Sequence, residues 1–166
     1  KKIKVGHSKS ISDSVFQKFE TALKNLCLNL AKQIVVDGEG AKKFVTIKIL
    51  NAKSLTSAKN IAFSIANSPL VKTAIAGEDS NWGRIIMGIG KSGEKIDNEK
   101  LVIKFGEFIV AENGKVSENY DEVNTKEYMK WDSIVIEVNL NNGNDHFECY
   151  TCDFTHDYID INADYR

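Results

Sequence analysis

The most regular hydrophobic pattern in the chain lies close to its start, where apolar residues recur at every third or fourth position. Its members are Val15, Phe16, Phe19, Ala22, Leu23, Leu26, Cys27, Leu30 and Ala31. This period predicts a long amphipathic helix, with Ser12 in the N-cap position. The helix would lead into Asp37-Gly38-Glu39-Gly40, where two glycines permit backbone angles that other residues resist.

A second helical stripe follows, behind a Ser54 cap and stopped from extending by Pro69. Its members are Leu55, Ala58, Ile61, Ala62, Ile65 and Ala66. A third, short helix would be capped by Asp79 or Ser80 and would carry Trp82, Ile85, Ile86 and Met87.

The remaining chain is richer in strands. Apolar runs predict strands over residues 44–50, 101–105, 108–111, 134–138 and 147–152. Asn113-Gly114 and Asn142-Gly143 are turn signals beside such runs, and a weak helix would include Tyr128, Met129 and Trp131. Because helices and strands are mixed, the sequence predicts an α+β fold, with helices packed on a mixed or antiparallel sheet.

The last sixteen residues combine acids, a His, aromatics and an Asn, although a chain end is often polar and dispensable. Taken as a strand, this tail alternates between two faces. One face carries Ile159, Ile161, Ala163 and Tyr165, and the other carries Tyr158, Asp160, Asn162 and Asp164. The pattern fits an ordinary edge strand beside solvent, and it fits equally a strand with one face in the core and the other lining a site.

Composition mainly excludes function classes. With 166 residues, 42% of them hydrophobic, the chain can form the core of one or two small units. The 22 Lys and Arg nearly balance the 23 Asp and Glu, so the net charge of -1 gives no indication of binding to nucleic acid or an anionic membrane. The apolar stretches are too short to span a bilayer and the first residues do not resemble a signal peptide, so a cytoplasmic location is expected.

Two local patterns suggest other chemistry. Cys149 and Cys152 have a C-x-x-C spacing with His156 nearby, but positions three apart in a strand face opposite ways, so no metal or redox site is expected. The run from Gly88 to Gly93 matches a dinucleotide-binding pattern, yet a helix precedes it where a strand is required. Its glycines are therefore interpreted as a helix end and a turn.

Three separated blocks resemble a known enzyme family. They are Ile34 to Phe44 around Asp-Gly-Glu-Gly, Asn67 to Arg84 with its Gly-Glu-Asp-Ser-Asn-Trp-Gly-Arg ending, and the tail up to Arg166. Over about residues 16–166 the chain resembles the C-terminal part of the ornithine acetyltransferase family, the bifunctional glutamate N-acetyltransferases of arginine biosynthesis. The resemblance implies a fragment of a larger layered α/β acetyltransferase.

The resemblance also implies a reaction. Acetyl would pass from N-acetylornithine to a Thr hydroxyl and then to the amine of glutamate, with acetyl-CoA as a possible donor and no cofactor. Family members cleave themselves ahead of that Thr, whereas this chain begins at Lys1, so the nucleophile is absent. The family's oxyanion-stabilising residues lie in its N-terminal subunit. The expected partners are therefore this alpha subunit and the missing front of the beta subunit, in a hetero-oligomer, and no catalysis is expected from the chain alone.

Two residues match substrate-contacting positions of the family, Glu39 in Asp-Gly-Glu-Gly and Asn162 in Ile-Asn-Ala-Asp-Tyr-Arg. A carboxylate can hold the cationic amino group shared by ornithine and glutamate, and an Asn amide can donate to a carboxylate or accept from an amine. Apart from the resemblance, a solvated turn acid and a local backbone cap explain the same two residues.

The sequence departs from the family in two places. Lys42 replaces the Thr that commonly follows Ala in the first motif, and the chain stops at Arg166 where the family has one more small polar residue. The second block contributes Asp79, Asn81, Trp82 and Arg84, for which substrate contact and a scaffold role both stay open. His156 is interpreted as a hydrogen-bonded structural residue.

The sequence divides into residues 1–50, the remainder of the nucleophile-bearing core, and residues 51–166, an α+β domain that ends in the site tail. Two other functions stay open. One is a non-catalytic binding or assembly module that keeps the family motifs for packing. The other is a cysteine-dependent hydrolase using Cys152 and His156, for which no oxyanion donor is evident.

Overall fold

The computed structural model describes residues 13–164. The elements are, in order, α1 (Asp13–Val36), β1 (Phe44–Ala52), α2 (Leu55–Ala66), α3 (Pro69–Ala76), α4 (Trp82–Lys91), a 3-10 turn (Asn98–Lys100), β2 (Val102–Phe105), β3 (Phe108–Glu112), β4 (Lys115–Val116), α5 (Glu122–Tyr128), β5 (Ser133–Asn139), β6 (Asp145–Cys152) and α6 (His156–Ala163). The chain divides into two compact units between Ile34 and Val35. In the first unit, the described residues all belong to α1.

A mixed sheet organises the second unit, with six strands among the described residues in the order β4-β3-β2-β5-β1-β6. β1 and β5 are parallel, and the other neighbouring strands are antiparallel. Alternate residues of the central strands form one hydrophobic core with residues of α2 and α4. The strands contribute Val45, Ile47, Ile49, Ile134, Ile136 and Val138, and the two helices contribute Ile61, Ile65, Ile85 and Ile89. Burying each such side chain contributes about 1.5–3 kcal/mol to folding.

The opposite face of the sheet carries charged residues at its centre. A row of alternating charge crosses four strands, because Lys104 lies opposite Glu137, Glu137 opposite Lys48, and Lys48 opposite Glu148. Lys104 and Glu137 form an ion pair at 3.4 Å, and Lys48 and Glu148 form one at 3.7 Å. Opposite charges directly across from each other favour this strand register.

The predicted α+β fold is confirmed. Ser54 caps α2 as predicted, since its Oγ accepts a hydrogen bond from Ser57 N at 3.2 Å. Asn113 and Gly114 connect β3 to β4 with φ angles of 52° and 74°, the left-handed region that this turn sequence favours. The predicted N-cap of α4 is wrong. Asn81, rather than Asp79 or Ser80, caps this helix, and its Oδ1 accepts a hydrogen bond from Arg84 N at 3.1 Å.

Pro69 ends one helix and begins another. α2 stops at Ala66 as predicted, but Pro69 is the first residue of α3, a helix that the sequence analysis did not predict. Pro suits that position, since the first helical N–H has no partner inside the helix. Ser12, the predicted cap of α1, lies outside the described residues.

The prediction of a strand in the tail is wrong. β6 ends at Cys152, and the next residue leaves the sheet because its carboxylate binds the backbone before β1. The chain then forms α6, which has Asp157 in its first turn, where a negative charge favours the helix N-terminus. Ile159 and Ile161 are both exposed, so no apolar tail face enters the core. Tyr165 lies outside the described residues.

β1 extends across residue 50, where the sequence analysis placed a domain boundary, and it pairs with β5 and β6. The division into residues 1–50 and 51–166 stays a prediction. None of the helices within residues 13–164 is long and apolar enough to cross a membrane.

Candidate functional site

Glu39 and Asn162, the two predicted substrate-binding residues, are in direct contact. Asn162 Nδ2 donates to Glu39 Oε2 at 2.9 Å, although 123 positions separate the residues in the sequence. The same nitrogen donates to Tyr158 O, one turn earlier in α6, also at 2.9 Å. Both side chains are exposed, so a ligand can reach the pair from solvent.

Gly40 allows α6 to lie directly on the bend that carries Glu39. Its φ of +69° is in the left-handed region that favours glycine, and a Cβ there would lie 2.5 Å from Tyr158 N. Thr155, just before α6, donates from Oγ1 to Gly40 O at 2.7 Å. The bend and the helix therefore meet backbone to backbone, and this contact sets the spacing between Glu39 and Asn162.

Asp153 anchors the chain just before α6. Its Oδ1 accepts from the main-chain nitrogens of Lys42 at 2.9 Å and Lys43 at 3.1 Å, and its own N–H donates to Lys43 O at 3.3 Å. The carboxylate is buried, and its Oδ2 has no hydrogen-bond partner within residues 13–164. Charge-assisted bonds to backbone N–H groups are stronger than neutral ones, so Asp153 fixes the end of β6 to the segment that follows Glu39.

Lys42 and Asp157 close the other side of this contact. Lys42 Nζ lies 2.9 Å from Asp157 Oδ2, and both side chains are about half exposed. The hydrogen bond with Asp157, together with its negative charge, raises the pKa of Lys42 above its ordinary value. Because solvent screens the pair, its main effect is to orient the first turn of α6.

A groove of about 510 Å³ opens beside α6. It is lined by Lys42, Thr73, Ala76, Gly77, Phe154, Thr155, His156, Asp157 and Ile159. Glu39 and Asn162 do not line it. The His156 side chain is exposed, and no hydrogen bond or ion pair joins it to a described residue, so its interpretation as a hydrogen-bonded structural His stays a prediction.

The second family block builds scaffold contacts. Arg84 Nη1 donates to Leu70 O at 2.7 Å and to Thr73 Oγ1 at 3.2 Å, which ties α4 to α3. Asp79 Oδ2 accepts from the amide of Asn81 at 3.0 Å, and Trp82 packs against the core. These residues hold α3, which contributes Thr73 and Ala76 to the groove.

The cysteines do not form a site of their own. Cys149 is buried and Cys152 is partly exposed, and both are free. Burial raises the pKa of the Cys149 thiol to about 11, which leaves it protonated and unreactive near neutral pH. Cys152 Sγ accepts from Lys72 Nζ at 3.6 Å, and no hydrogen bond joins it to His156. Within residues 13–164, no group of His, Cys, Asp and Glu is arranged to hold a metal ion.

The sequence analysis missed three residues that build the site: Lys43, Asp153 and Thr155. A signal for α6 was available, because Asp157, Asp160 and Asp164 are spaced three and four apart, as on one face of a helix. Thr155 before them is a common N-cap residue type. Nothing in the sequence indicated Asp153, since its role depends on a backbone segment more than 100 positions away.

Comparisons with known proteins identify the family of the chain. The sequence model of the ArgJ family matches residues 4–166. The arginine biosynthesis bifunctional protein ArgJ of Ruegeria pomeroyi is 54% identical over 89% of this chain, and that of Gluconobacter oxydans is 50% identical over 94%. The chain spans 36% and 37% of the length of these two curated relatives.

A solved structure gives the same result for the fold. The crystal structure of arginine biosynthesis bifunctional protein argJ from Bacillus halodurans superposes with a TM-score of 0.88 at 37% sequence identity. The match covers 95% of this chain and 75% of the crystallised chain.

Proposed function

Because the chain belongs to the ArgJ family, we propose that it supplies substrate-binding residues of an N-acetyltransferase in arginine biosynthesis. The proposed reaction moves acetyl from N-acetylornithine to glutamate, with acetyl-CoA as a second possible donor. The observation that carries this proposal is the hydrogen bond between Glu39 and Asn162, which joins two family-matched positions 123 residues apart.

The hydrogen bonds of Asn162 show which of its amide atoms faces Glu39. Both hydrogens of the Asn162 amide are used, one on Glu39 Oε2 and one on Tyr158 O. A flipped amide would place its oxygen against these two acceptors, so the two bonds fix the amide orientation. Asn162 Oδ1 and Glu39 Oε1 have no donor among the described residues.

Two such acceptors beside a negative charge suit a protonated amine. An ammonium group donates up to three hydrogen bonds and accepts none, whereas a carboxylate would be repelled by Glu39. Ornithine and glutamate share a cationic amino group. Glu39 and Asn162 are therefore proposed to hold and orient that amine.

Acetyl transfer then proceeds in two steps, acylation of a Thr hydroxyl and transfer of the acetyl group to glutamate. A Thr hydroxyl attacks the acetyl carbonyl of N-acetylornithine, the carbon–nitrogen bond breaks, and ornithine leaves with the hydroxyl proton. The ammonium group of glutamate next gives up one proton to a base, and the neutral amine attacks the acetyl-Thr ester. The carbon–oxygen bond to Thr breaks, and the Thr oxygen recovers the second proton that the amine loses. The Thr and its oxyanion donors are assigned to the further sequence that the longer relatives have.

The proposed partner is the N-terminal alpha subunit of this family together with the front of the beta subunit. α1 offers a docking face, because its apolar stripe is exposed: Phe19 is 63%, Leu26 56% and Leu30 50% accessible. Monomeric proteins rarely leave such a continuous apolar patch uncovered. The relatives have nearly two-thirds of their length outside the matched part, which is ample to cover it.

The test replaces Glu39 by Gln in the complete enzyme that contains this chain. Loss of a charge-assisted hydrogen bond of roughly 1.5–3 kcal/mol should lower kcat/KM for glutamate about 10-fold to 100-fold. Self-cleavage of the precursor should continue, which shows that the variant folds.

Asp160→Asn is the matched control, since it removes a carboxylate from α6 two positions before Asn162 without touching Glu39. Its kinetics should stay close to those of the unmodified enzyme. If Glu39→Gln has the same kinetics as the control, Glu39 does not bind substrate. An intact complex without any acetyl transfer would instead favour the non-catalytic assembly module.

A further inference from the structure

An aromatic groove lies on a different part of the second unit. It has a volume of about 370 Å³ and is lined by Glu107, Phe108, Asn124, Glu127, Tyr128 and Trp131. The Tyr128 ring centroid lies 6.1 Å from that of Phe108 and 5.2 Å from that of Trp131, with tilted planes. The indole of Trp131 is exposed to 63%, which is unusual for a large aromatic side chain.

The central ring is held in place from two sides. Gly106, in the turn between β2 and β3, has a φ of +59°, and a Cβ there would lie 2.8 Å from the Tyr128 ring. Glycine at this position lets the ring lie directly against the turn. The Tyr128 hydroxyl also accepts a hydrogen bond from Val135 N at 2.8 Å. Tyr128 is therefore rigid before any ligand arrives.

The backbone beneath the groove is equally fixed. Met129, between Tyr128 and Lys130, is fully buried in the core. The buried Lys43 donates from Nζ to Met129 O at 2.9 Å and to Trp131 O at 3.2 Å. These bonds hold the segment that presents Tyr128 and Trp131, and a binding surface that needs little ordering binds more tightly.

The charge on the groove is negative. Glu107 and Glu127 contribute carboxylates, and no Lys or Arg is among the described lining residues. Glu127 pairs with Lys130 at 2.6 Å, outside the lining, whereas Glu107 forms no ion pair with a described residue. Aromatic faces attract cations, and an unpaired carboxylate at the rim strengthens that preference.

We infer that this groove binds a small organic cation of the alkylammonium class, held by the Tyr128 and Trp131 rings and by Glu107. It shares no residue with the groove beside α6 or with the Glu39–Asn162 contact. The inference is therefore independent of the acetyl-transfer proposal, and either can fail without the other.

The probe is choline, compared with its neutral isostere 3,3-dimethylbutan-1-ol, in a fluorescence titration of the 166-residue chain at constant ionic strength. Choline should quench Trp131 saturably, and the alcohol should bind at least about threefold more weakly, as expected for a cation contact at an exposed ring. Trp131→Phe should remove the quenching signal, since the other tryptophan, Trp82, lies in α4.

Glu107→Gln should weaken choline binding about threefold or more. Glu122→Gln is the matched control, because Glu122 is an exposed acid of α5 that does not line the groove, and its affinity for choline should be unchanged. Both positions are exposed, so these variants should fold. Equal binding of the neutral alcohol, or no saturable response to choline in the folded chain, would overturn the inference.

Discussion

Gly40 is the residue on which the geometry of the candidate site most depends. It lies between Glu39 and the backbone of α6, with a left-handed φ and no room for a Cβ. The left-handed φ disfavours another L-residue, and a Cβ at this position cannot be accommodated without moving the helix. The separation of Glu39 and Asn162 is therefore set by a residue that has no side chain.

We expect Gly40→Ala to detach α6 from the bend. A methyl group 2.5 Å from Tyr158 N cannot be accommodated by a side-chain rotation, because the obstacle is backbone. Hydrogen exchange should accelerate at least about tenfold in residues 156–163, consistent with a loss of more than about 1 kcal/mol, while the strands keep their protection.

Gly90→Ala provides the control for this substitution. A Cβ at Gly90 would meet nothing within 4 Å, and the residue is helical, so this change should stabilise the protein by up to about 1 kcal/mol. Unchanged exchange of α6 in Gly40→Ala would contradict the account of the contact.

At this scale the sequence allowed part of the site to be predicted. Glu39 in its glycine bend and Asn162 in its motif were identified before the structure, and they lie 2.9 Å apart. Their role in binding substrate stays a prediction. Asp153, Thr155 and Lys43 could not be found, because their hydrogen bonds join segments that only the fold brings near.

Glu94 connects three elements of the second unit. It follows α4, its Oε2 lies 2.9 Å from Lys53 Nζ at the end of β1, and its Oε1 accepts from Asn60 Nδ2 of α2 at 2.9 Å. The hydrogen bonds from Lys53 and Asn60 lower the pKa of Glu94 to about 2 from its ordinary 4.5. The folded state therefore favours the ionised form.

This shift predicts how stability depends on pH. A carboxyl with a depressed folded-state pKa stabilises the protein fully above its unfolded pKa of 4.5, and the contribution is lost as the pH falls towards 2. Glu94→Gln should lower the urea midpoint at pH 7, and the difference from the unmodified chain should vanish near pH 2. Glu118→Gln, which breaks an exposed pair with Lys115, should change the midpoint little at either pH. A difference for Glu94→Gln that persists undiminished at pH 2 would contradict this linkage.

Element prediction succeeded where local signals were strong. The Ser54 cap, the Asn113-Gly114 turn and the apolar strands β1 and β5 were all predicted from local patterns. The prediction of a strand in the tail was wrong because the eight residues of α6, with apolar residues at 159 and 161, fit strand alternation as well as a helix. α6 forms because Asp153 and Thr155 tie its N-terminal end to the bend, a tertiary contact that overrides the pattern.

For the whole molecule, the main feature is a site presented by a chain that matches about 37% of its relatives' length. The second unit has its own core and sheet, which explains how the Glu39–Asn162 contact is maintained. α1 carries an exposed apolar stripe, and we propose that the companion subunit covers it. We therefore propose that this chain holds the substrate and that the groups that break bonds lie in other parts of the complete enzyme.

The most direct test measures transfer of labelled acetyl from N-acetylornithine to glutamate, using the 166-residue chain with and without the remaining part of the enzyme. We expect no transfer by the chain alone and transfer once the companion is added. Leu26→Glu in the α1 stripe should reduce this recovery. Turnover by the purified chain without any companion would show that the chain itself carries the bond-breaking groups, contrary to our proposal.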